Sequence, residues 1–373
     1  MYDLLIKGGR VVDPSQNLDG MLDLGITNGR VAQLASSIAP SEARLVIDAT
    51  GLLVTPGLID MHVHVHWGVS QYGVDADLSC LARGSTTVVE AGSAGAYTFP
   101  SLKRFIIDKS QTRILAFLNI AYYGMIGDQV GELEYPRFTD KELAIRIGQA
   151  PEIVGLKLRT DRVGERLASE PLRSAVEIAE ALGKPIMVHI GRVSRMHVPL
   201  SEILEIMRPG DIITHMYHGF VGGIVDENHR LRPEVQQARE RGILFDVGHG
   251  GGSFTFATAK AAIDQGFIPD TISTDLHTYS IAGPVFDLPT TMSKFLHLGM
   301  SLDQVVAHST WIPAKLLGLE KEIGTLKPGA QGDVTVLRMD QGAFPLYDCA
   351  RQTETASKLL SPVYTIKAGH LST

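Results

Sequence analysis

The chain has 373 residues, 44% hydrophobic and 20% charged, enough to bury a large core, so one large domain plus a small one is expected. A formal net charge of −7 and a pI near 6.0 argue against nucleic acid as a partner. Two distant cysteines (Cys80 and Cys349), an opening Met-Tyr-Asp-Leu-Leu-Ile-Lys-Gly-Gly without signal-peptide character, and no apolar run of membrane-spanning length point to a soluble cytoplasmic protein.

The opening segment reads as short strands at Leu4–Lys7, Arg10–Val12, Leu22–Thr27 and Val31–Leu34. Asn28-Gly29 is a two-residue hairpin turn, because both positions favour positive φ. After Val54 the texture changes to apolar strands alternating with amphipathic helices. Strands are predicted at Leu58–Val65, Thr86–Glu90, Arg113–Tyr122, Ile153–Leu158, Pro185–Ile190, Asp211–His215, Leu244–Val247 and Thr271–Asp275. Helices are predicted between them at Ser101–Lys109, Asp140–Gln149, Pro171–Leu182, Leu200–Met207, Pro233–Arg241 and Phe254–Gln265.

This alternation matches a (β/α)8 TIM barrel. A doubly wound open sheet competes, but no Gly-rich dinucleotide fingerprint follows the first strand. β texture returns with a turn at Gly324–Gly329 and strands at Asp333–Leu337 and Val363–Lys367. Such a tail cannot join a closed barrel, so it is expected to pair with the N-terminal strands. The plan is a discontinuous β-sandwich domain from residues 1–54 and 319–373 beside a barrel from 55–318.

In Gly57-Leu-Ile-Asp-Met-His62-Val-His64-Val-His66 the first barrel strand projects His62 and His64 from one face, since alternate strand side chains point the same way. Two imidazoles so spaced can bind one divalent metal without bending the backbone. The active site of such a barrel lies at the C-terminal ends of its strands. There the sequence places His62 and His64 on strand one, Lys157 on strand four, His189 on strand five, His215 on strand six and Asp275 on strand eight. Mixed nitrogen and oxygen ligands at one mouth suit zinc-like ions; the bland alternative is a set of ordinary barrel histidines.

Asp60-x-His62-x-His64 with Lys157, His189, His215 and Asp275 resembles the amidohydrolase superfamily, in the subset with a binuclear metal centre bridged by a carboxylated lysine. The resemblance covers the whole chain. Thr55-Pro-Gly-Leu-Ile-Asp60 opens the barrel, and Gly324-Thr-Leu-Lys-Pro-Gly329 with Gly332-Asp-Val334 closes it. Within the superfamily the sequence is most similar to dihydroorotase-like proteins and deacetylases, one group of which hydrolyses acetylated α-hydroxy acids of the acetyl-mandelate type.

The resemblance implies two divalent ions, zinc or alternatively manganese, held by His62, His64, Lys157, His189, His215 and Asp275. CO2 would convert Lys157 to N6-carboxylysine. The apolar setting Val154-Gly-Leu-Lys157-Leu158 fits, because burial lowers a lysine pKa and a neutral amine can react with CO2. The bland alternative is a lysine paired with an acid or reaching solvent. Glu90, at the end of strand two, is the rival bridge, since glutamate or cysteine replaces the lysine in some related deacylases.

The implied mechanism is attack by a hydroxide bridging two metals ~3.5–4 Å apart, with Asp275 carrying its proton to the leaving group. Arg159, two residues after Lys157, faces the same mouth and suits bidentate capture of a substrate carboxylate. Arg192 is a second substrate-binding candidate, and His218 and His277 lie close enough to ligands to hydrogen-bond substrate. Each has a structural alternative: a salt bridge for Arg159, packing for the histidines. The glycines of His249-Gly-Gly-Gly252 would let substrate approach the backbone, and Tyr122 and Tyr123 are candidate pocket walls.

Two positions after the histidine pair, dihydroorotases commonly carry a substrate-binding arginine, where this chain has His66. The expected function is therefore a metal-dependent deacetylase-type hydrolase of an acyl ester or amide bearing a carboxylate. A cyclic amidase of the dihydroorotase or hydantoinase kind is the alternative, and a non-catalytic scaffold the remote one. The expected partner is a small molecule, without nucleic acid or membrane, and self-association into a homo-oligomer is left open.

Overall fold

The computed structural model describes residues 1–127, 139–160, 169–191 and 198–372. Five strands open the chain: β1 (Tyr2–Asp13), β2 (Leu18–Thr27), β3 (Arg30–Ala35), β4 (Ala43–Asp48) and β5 (Leu53–Pro56). The strands predicted at Leu4–Lys7 and Arg10–Val12 are one strand, β1, whose pairing with β2 is irregular between Ile6 and Gly9. At the β2–β3 turn Asn28 and Gly29 have φ of 50° and 71°, the two positive values that a tight hairpin turn of this type requires.

Seven parallel strands follow in chain order: β6 (Leu58–Val63), β7 (Ser85–Gly95), β8 (Arg113–Asn119), β9 (Ile153–Arg159), β10 (Ile186–His189), β11 (Ile212–Thr214) and β12 (Leu244–Asp246). Helices Lys141–Gly148, Glu170–Leu182, Leu200–Ile206, Pro233–Glu240 and Phe256–Ile263 stand close to where hydrophobic periodicity put them. The helix predicted from Ser101 starts at Phe99 and widens into a π-type turn over Lys103–Ile107. Pro100 permits the early start, because the first helical turn uses no N–H from that position.

The eighth strand, predicted over Thr271–Asp275, is not a continuous ladder. Thr271 bridges Asp246 and Leu276 bridges Val63, both in parallel, so the segment joins β12 to β6 and closes the barrel. Asp275 N donates to the His62 carbonyl at 2.7 Å. Asp60 adds a side-chain tie, accepting from Thr274 N at 3.0 Å and from Thr274 Oγ1 at 2.6 Å. The segment leaves regular strand geometry at Asp275, where φ is 47°.

The chain then returns to β structure with β13 (Val334–Tyr347), β14 (Thr353–Lys367) and β15 (His370–Ser372). These join the opening strands in one eight-stranded sheet, β15-β14-β13-β5-β1-β2-β3, with β4 on β1. Its core is apolar, including Leu4, Ile6, Leu24, Val54, Val336 and Ile366. The sheet bends until its ends meet: Gly332 N donates to Gly29 O at 2.7 Å, and Gly369 N donates to Gly332 O at 2.8 Å. β5 and β13 are immediate neighbours, Val54 opposite Val336, so the barrel is inserted between two paired strands. The far end of the β13–β14 hairpin packs back on the barrel, where Leu346, Ala356 and Leu360 enter its core.

Candidate metal centre

A cavity of about 310 Å³ opens at the C-terminal ends of the barrel strands. Its lining includes His62, His64, Lys157, Arg159, His189, His215, Asp275 and His277. His62 lies in β6 and His64 just beyond it; Lys157 lies in β9, which Arg159 ends; His189 ends β10, and His215 follows β11. The six residues expected as ligands thus converge, although five separate strand segments deliver them.

Three imidazoles are held through Nδ1. His62 Nδ1 is 2.9 Å from Thr214 Oγ1, whose own hydrogen goes to Asp246 Oδ2 at 2.7 Å. The hydroxyl therefore accepts from His62, which carries its proton on Nδ1. His215 Nδ1 is 2.6 Å from the Gly248 carbonyl, an acceptor only, so it too is protonated at Nδ1. His64 Nδ1 lies 2.8 Å from Ser93 Oγ and 3.4 Å from Glu90 Oε1. Such outer partners fix the tautomer and turn Nε2 into the ligand atom.

The inner nitrogens crowd one carboxylate. Nε2 of His62 and of His64 lie 3.4 Å and 3.0 Å from Asp275 Oδ1. One donor atom each from His62, His215 and Asp275 falls within 4.8 Å of the others. His189 stands edge-on to His215, ring centroids 4.1 Å apart. Inward-facing nitrogens around a carboxylate call for positive charge among them: a proton on His64 Nε2 supplies it here, and a divalent cation would replace that proton. The donor set fits such an ion.

Electrostatics agree. Burial, then the neighbouring Lys157, pushes His62 well below the usual imidazole range; burial and His189 do the same to His215. Both are neutral, as ligands must be. Burial works to raise Asp275, but the hydrogen bond from His64 and the imidazoles of His277 and His215 hold it well below the usual carboxylate range. Burial also works to lower His64, yet Asp275 and Glu90 outweigh it and the net direction is up. Gly250 makes room for Asp275: at φ 53°, a methyl group there would come within 2.2 Å of Asp275 Oδ2.

Lys157 is buried, with Nζ 3.2 Å from His62 Nε2 and 3.4 Å from Met187 Sδ. Glu90 stands behind His64, accepting from Ser93 N at 2.8 Å and Ala94 N at 3.3 Å, and does not line the cavity. Arg159 and His277 do line it, and Tyr72, His277 and Tyr279 form an edge-to-face aromatic wall with centroids 5.7 to 6.0 Å apart. Gly251 and Gly252 also reach the cavity.

Other candidates fall elsewhere. His218 lines a separate cavity of about 480 Å³, because the backbone turns at His215, whose φ is 70°. Its Nδ1 accepts from Phe220 N at 3.2 Å, and burial pushes it down to about 4. His66 turns to Ser101 Oγ at 3.2 Å. Tyr122 and Tyr123 pack with Tyr97 outside the cavity lining. Arg192 lies outside the described residues. The sequence reading missed Thr214, Asp246 and Ser93, which orient ligands without touching the cavity. The available signal was an acid inside the apolar run Leu244-Phe-Asp-Val247.

With the geometry in place, three comparisons bear on it. The model of the amidohydrolase family matches residues 251–371. A deacetylase of Agrobacterium fabrum is 35% identical over 344 residues, covering 91% of this chain and 83% of the relative. A crystal structure of an adenine deaminase matches with TM-score 0.90 at 31% identity, covering 100% of this chain and 99% of the other. A crystal structure of a dihydroorotase matches with TM-score 0.89 at 31% identity, covering 99% and 98%. The two solved structures differ in the activity their names give, while both match the fold over nearly the whole of either chain.

Proposed function

This chain belongs to the amidohydrolase family, and from that premise we propose that it is a deacetylase-type hydrolase cleaving an acyl ester or amide of a small, carboxylate-bearing substrate. It is a hydrolytic enzyme of the superfamily, and its His/Asp cluster supports the use of divalent metal. The observation that carries the proposal is the meeting of inward Nε2 atoms, Asp275 and Arg159 around one cavity.

In this reading His62, His64, Lys157, His189, His215 and Asp275 would hold two ions, zinc or manganese, with Lys157 as N6-carboxylysine. Such ions, when bound, supply a nucleophilic water at neutral pH and polarise a carbonyl. The chain's own residues do the rest. Asp275, an ionised carboxylate in the cavity, accepts a proton and returns it to the departing alkoxide or amine. Arg159 clamps the substrate carboxylate at the rim. Tyr72, His277 and Tyr279 shield one side from water. Burial of Lys157 beside His62 favours the neutral amine that carboxylation needs.

The dihydroorotase neighbour favours a second reading, a cyclic amidase. His66 turning away from the cavity counts against it, since substrate would have to be held from another position. Among the described residues no helix is long and apolar enough to cross a membrane. The proposed setting is the cytoplasm, with a small-molecule substrate as partner and self-association left open. The test is a hydrolysis screen of metal-loaded protein with N-acyl amino acids, O-acyl hydroxy acids and cyclic amides, both enantiomers of each. Acyl cleavage is expected; turnover of cyclic amides alone would overturn the proposal.

A further inference from the structure

A buried lysine that the proposed chemistry does not use ties down the loop behind the metal centre. Lys294, in the helix Leu288–His297, is fully buried, and no ion pair holds it among the described residues. Its ammonium has three acceptors instead: His249 Nε2 at 2.6 Å, Tyr347 O at 2.7 Å and Pro284 O at 2.9 Å. His249 Nδ1 is 2.9 Å from the Gly250 carbonyl, which can only accept, so Nδ1 carries the hydrogen and Nε2 must accept from Lys294. A neutral amine, with two N–H bonds, would leave one of the three acceptors unserved. Burial pushes Lys294 down to about 7, partly offset by Cys349, Asp348 and Asp287; the three acceptors are what favour the charged form.

Three segments meet at this ammonium. Pro284 lies on the stretch running on from Asp275, His249 on the loop after β12, and Tyr347 at the end of β13. The loop after β12 touches the metal centre twice. The Gly248 carbonyl takes the Nδ1 hydrogen of His215, and Gly250 packs against Asp275. His249 is further fixed by stacking on Phe254, centroids 4.5 Å apart at 17°.

We propose that Lys294 and His249 are a positioning pair: they hold the Gly248–Gly250 backbone, and through it the tautomer of His215 and the placement of Asp275. The inference rests on the metal-hydrolase reading for its consequence, and on the hydrogen-bond pattern for its geometry. Outer partners of metal ligands typically change metal affinity by about 10–100-fold when lost, and this pair acts one step further out, so about tenfold is expected.

The test uses full-length His249→Leu, His249→Gln and Lys294→Met, with two readouts. The first is 15N NMR of the histidine rings in metal-free protein; the second is zinc affinity by chelator competition. Wild type should show His215 protonated at Nδ1. His249→Leu should mix the His215 tautomers and weaken zinc binding about tenfold. His249→Gln should restore both, because its amide oxygen can accept from Lys294 while its nitrogen donates to Gly250. If His249→Leu does not fold, Lys294→Met carries the same comparison. Wild-type tautomer and zinc affinity in a folded Leu or Met variant, or a Gln variant as impaired as Leu, would overturn the pair. A wild-type protein that binds no zinc would sink the hydrolase reading, and the metal-free NMR comparison would still decide the positioning role.

Discussion

Nζ of Lys157 lies 3.2 Å from Nε2 of His62, with both side chains buried. An ammonium there would spend a hydrogen on the lone pair that a metal needs; a carbamate turns the same side chain into an anionic ligand. Lys157→Ala should therefore remove one of two bound ions and most activity, and a short carboxylate in solution should restore part of it. Metal content by elemental analysis is the check. Glu90→Ala should act more mildly, by loosening His64. Two ions retained in Lys157→Ala and lost in Glu90→Ala would assign the bridge to Glu90.

Protein produced with zinc or manganese and bicarbonate should hold close to two divalent ions per chain. His62→Ala and His189→Ala should each lower that content together with turnover. Full loading in both variants would refute the ligand assignment.

Chemistry and recognition separate at Asp275 and Arg159. Asp275→Asn keeps an oxygen in place but removes the proton acceptor, so kcat should fall by ~10²–10⁴ with a smaller change in KM. Arg159→Met should cost about 2–5 kcal/mol in kcat/KM for a substrate bearing a carboxylate. A neutral ester of that substrate should barely respond. Equal loss on both would make Arg159 a structural residue.

Thr214 joins Asp246 to His62 without reaching the cavity. Thr214→Val keeps the shape and removes the hydroxyl, leaving His62 Nδ1 without its acceptor and Asp246 short of a donor. Metal affinity should fall by about 10–100-fold, read by competition with a chelator. An unchanged affinity would show that the strand alone orients His62.

Much of this centre was legible because most proposed ligands sit on or just beyond regular strands, where position dictates direction. His62, His64, Lys157 and Arg159 fell into the cavity from alternation alone. What failed was whatever depended on the backbone leaving the strand. His218 was expected at the mouth, but the left-handed turn at His215 carries the following residues away. Asp275 was placed correctly on a strand that is only two bridges. Partners such as Thr214 and Lys294 left no pattern, since a hydrogen bond across segments distant in sequence has no spacing to read. β1 was found as two fragments because Gly8 and Gly9 mimic a turn inside one continuous strand.

Acid should destabilise the sheet formed by the two chain ends through Asp23. Burial works to raise this carboxyl, but Lys7 Nζ, Ile38 N and Gly8 N, each 2.8 Å away, lower it below its ordinary value. A depressed folded pKa means stability that is present above the unfolded value and lost as pH falls through the folded one. Asp23→Asn should lower Tm near neutral pH and flatten its decline on acidification. A parallel decline in both proteins would put the acid sensitivity elsewhere.

The pairing of β5 with β13 has a consequence for synthesis. The ribosome releases β5 early and β13 only after every barrel segment has emerged, so one edge of β5 stays open throughout that interval. An unpaired edge is a template for the wrong strand, and the exposure lasts as long as translation of the insert. Once β13 arrives, the long insertion is a small obstacle, because loop-closure cost grows by only about 0.6 kcal/mol per doubling of length. The hairpin that follows then delivers Tyr347 to Lys294. The candidate metal centre therefore receives this support only after every barrel segment has been made, and a nascent chain stalled before β13 should carry every proposed ligand yet bind metal weakly.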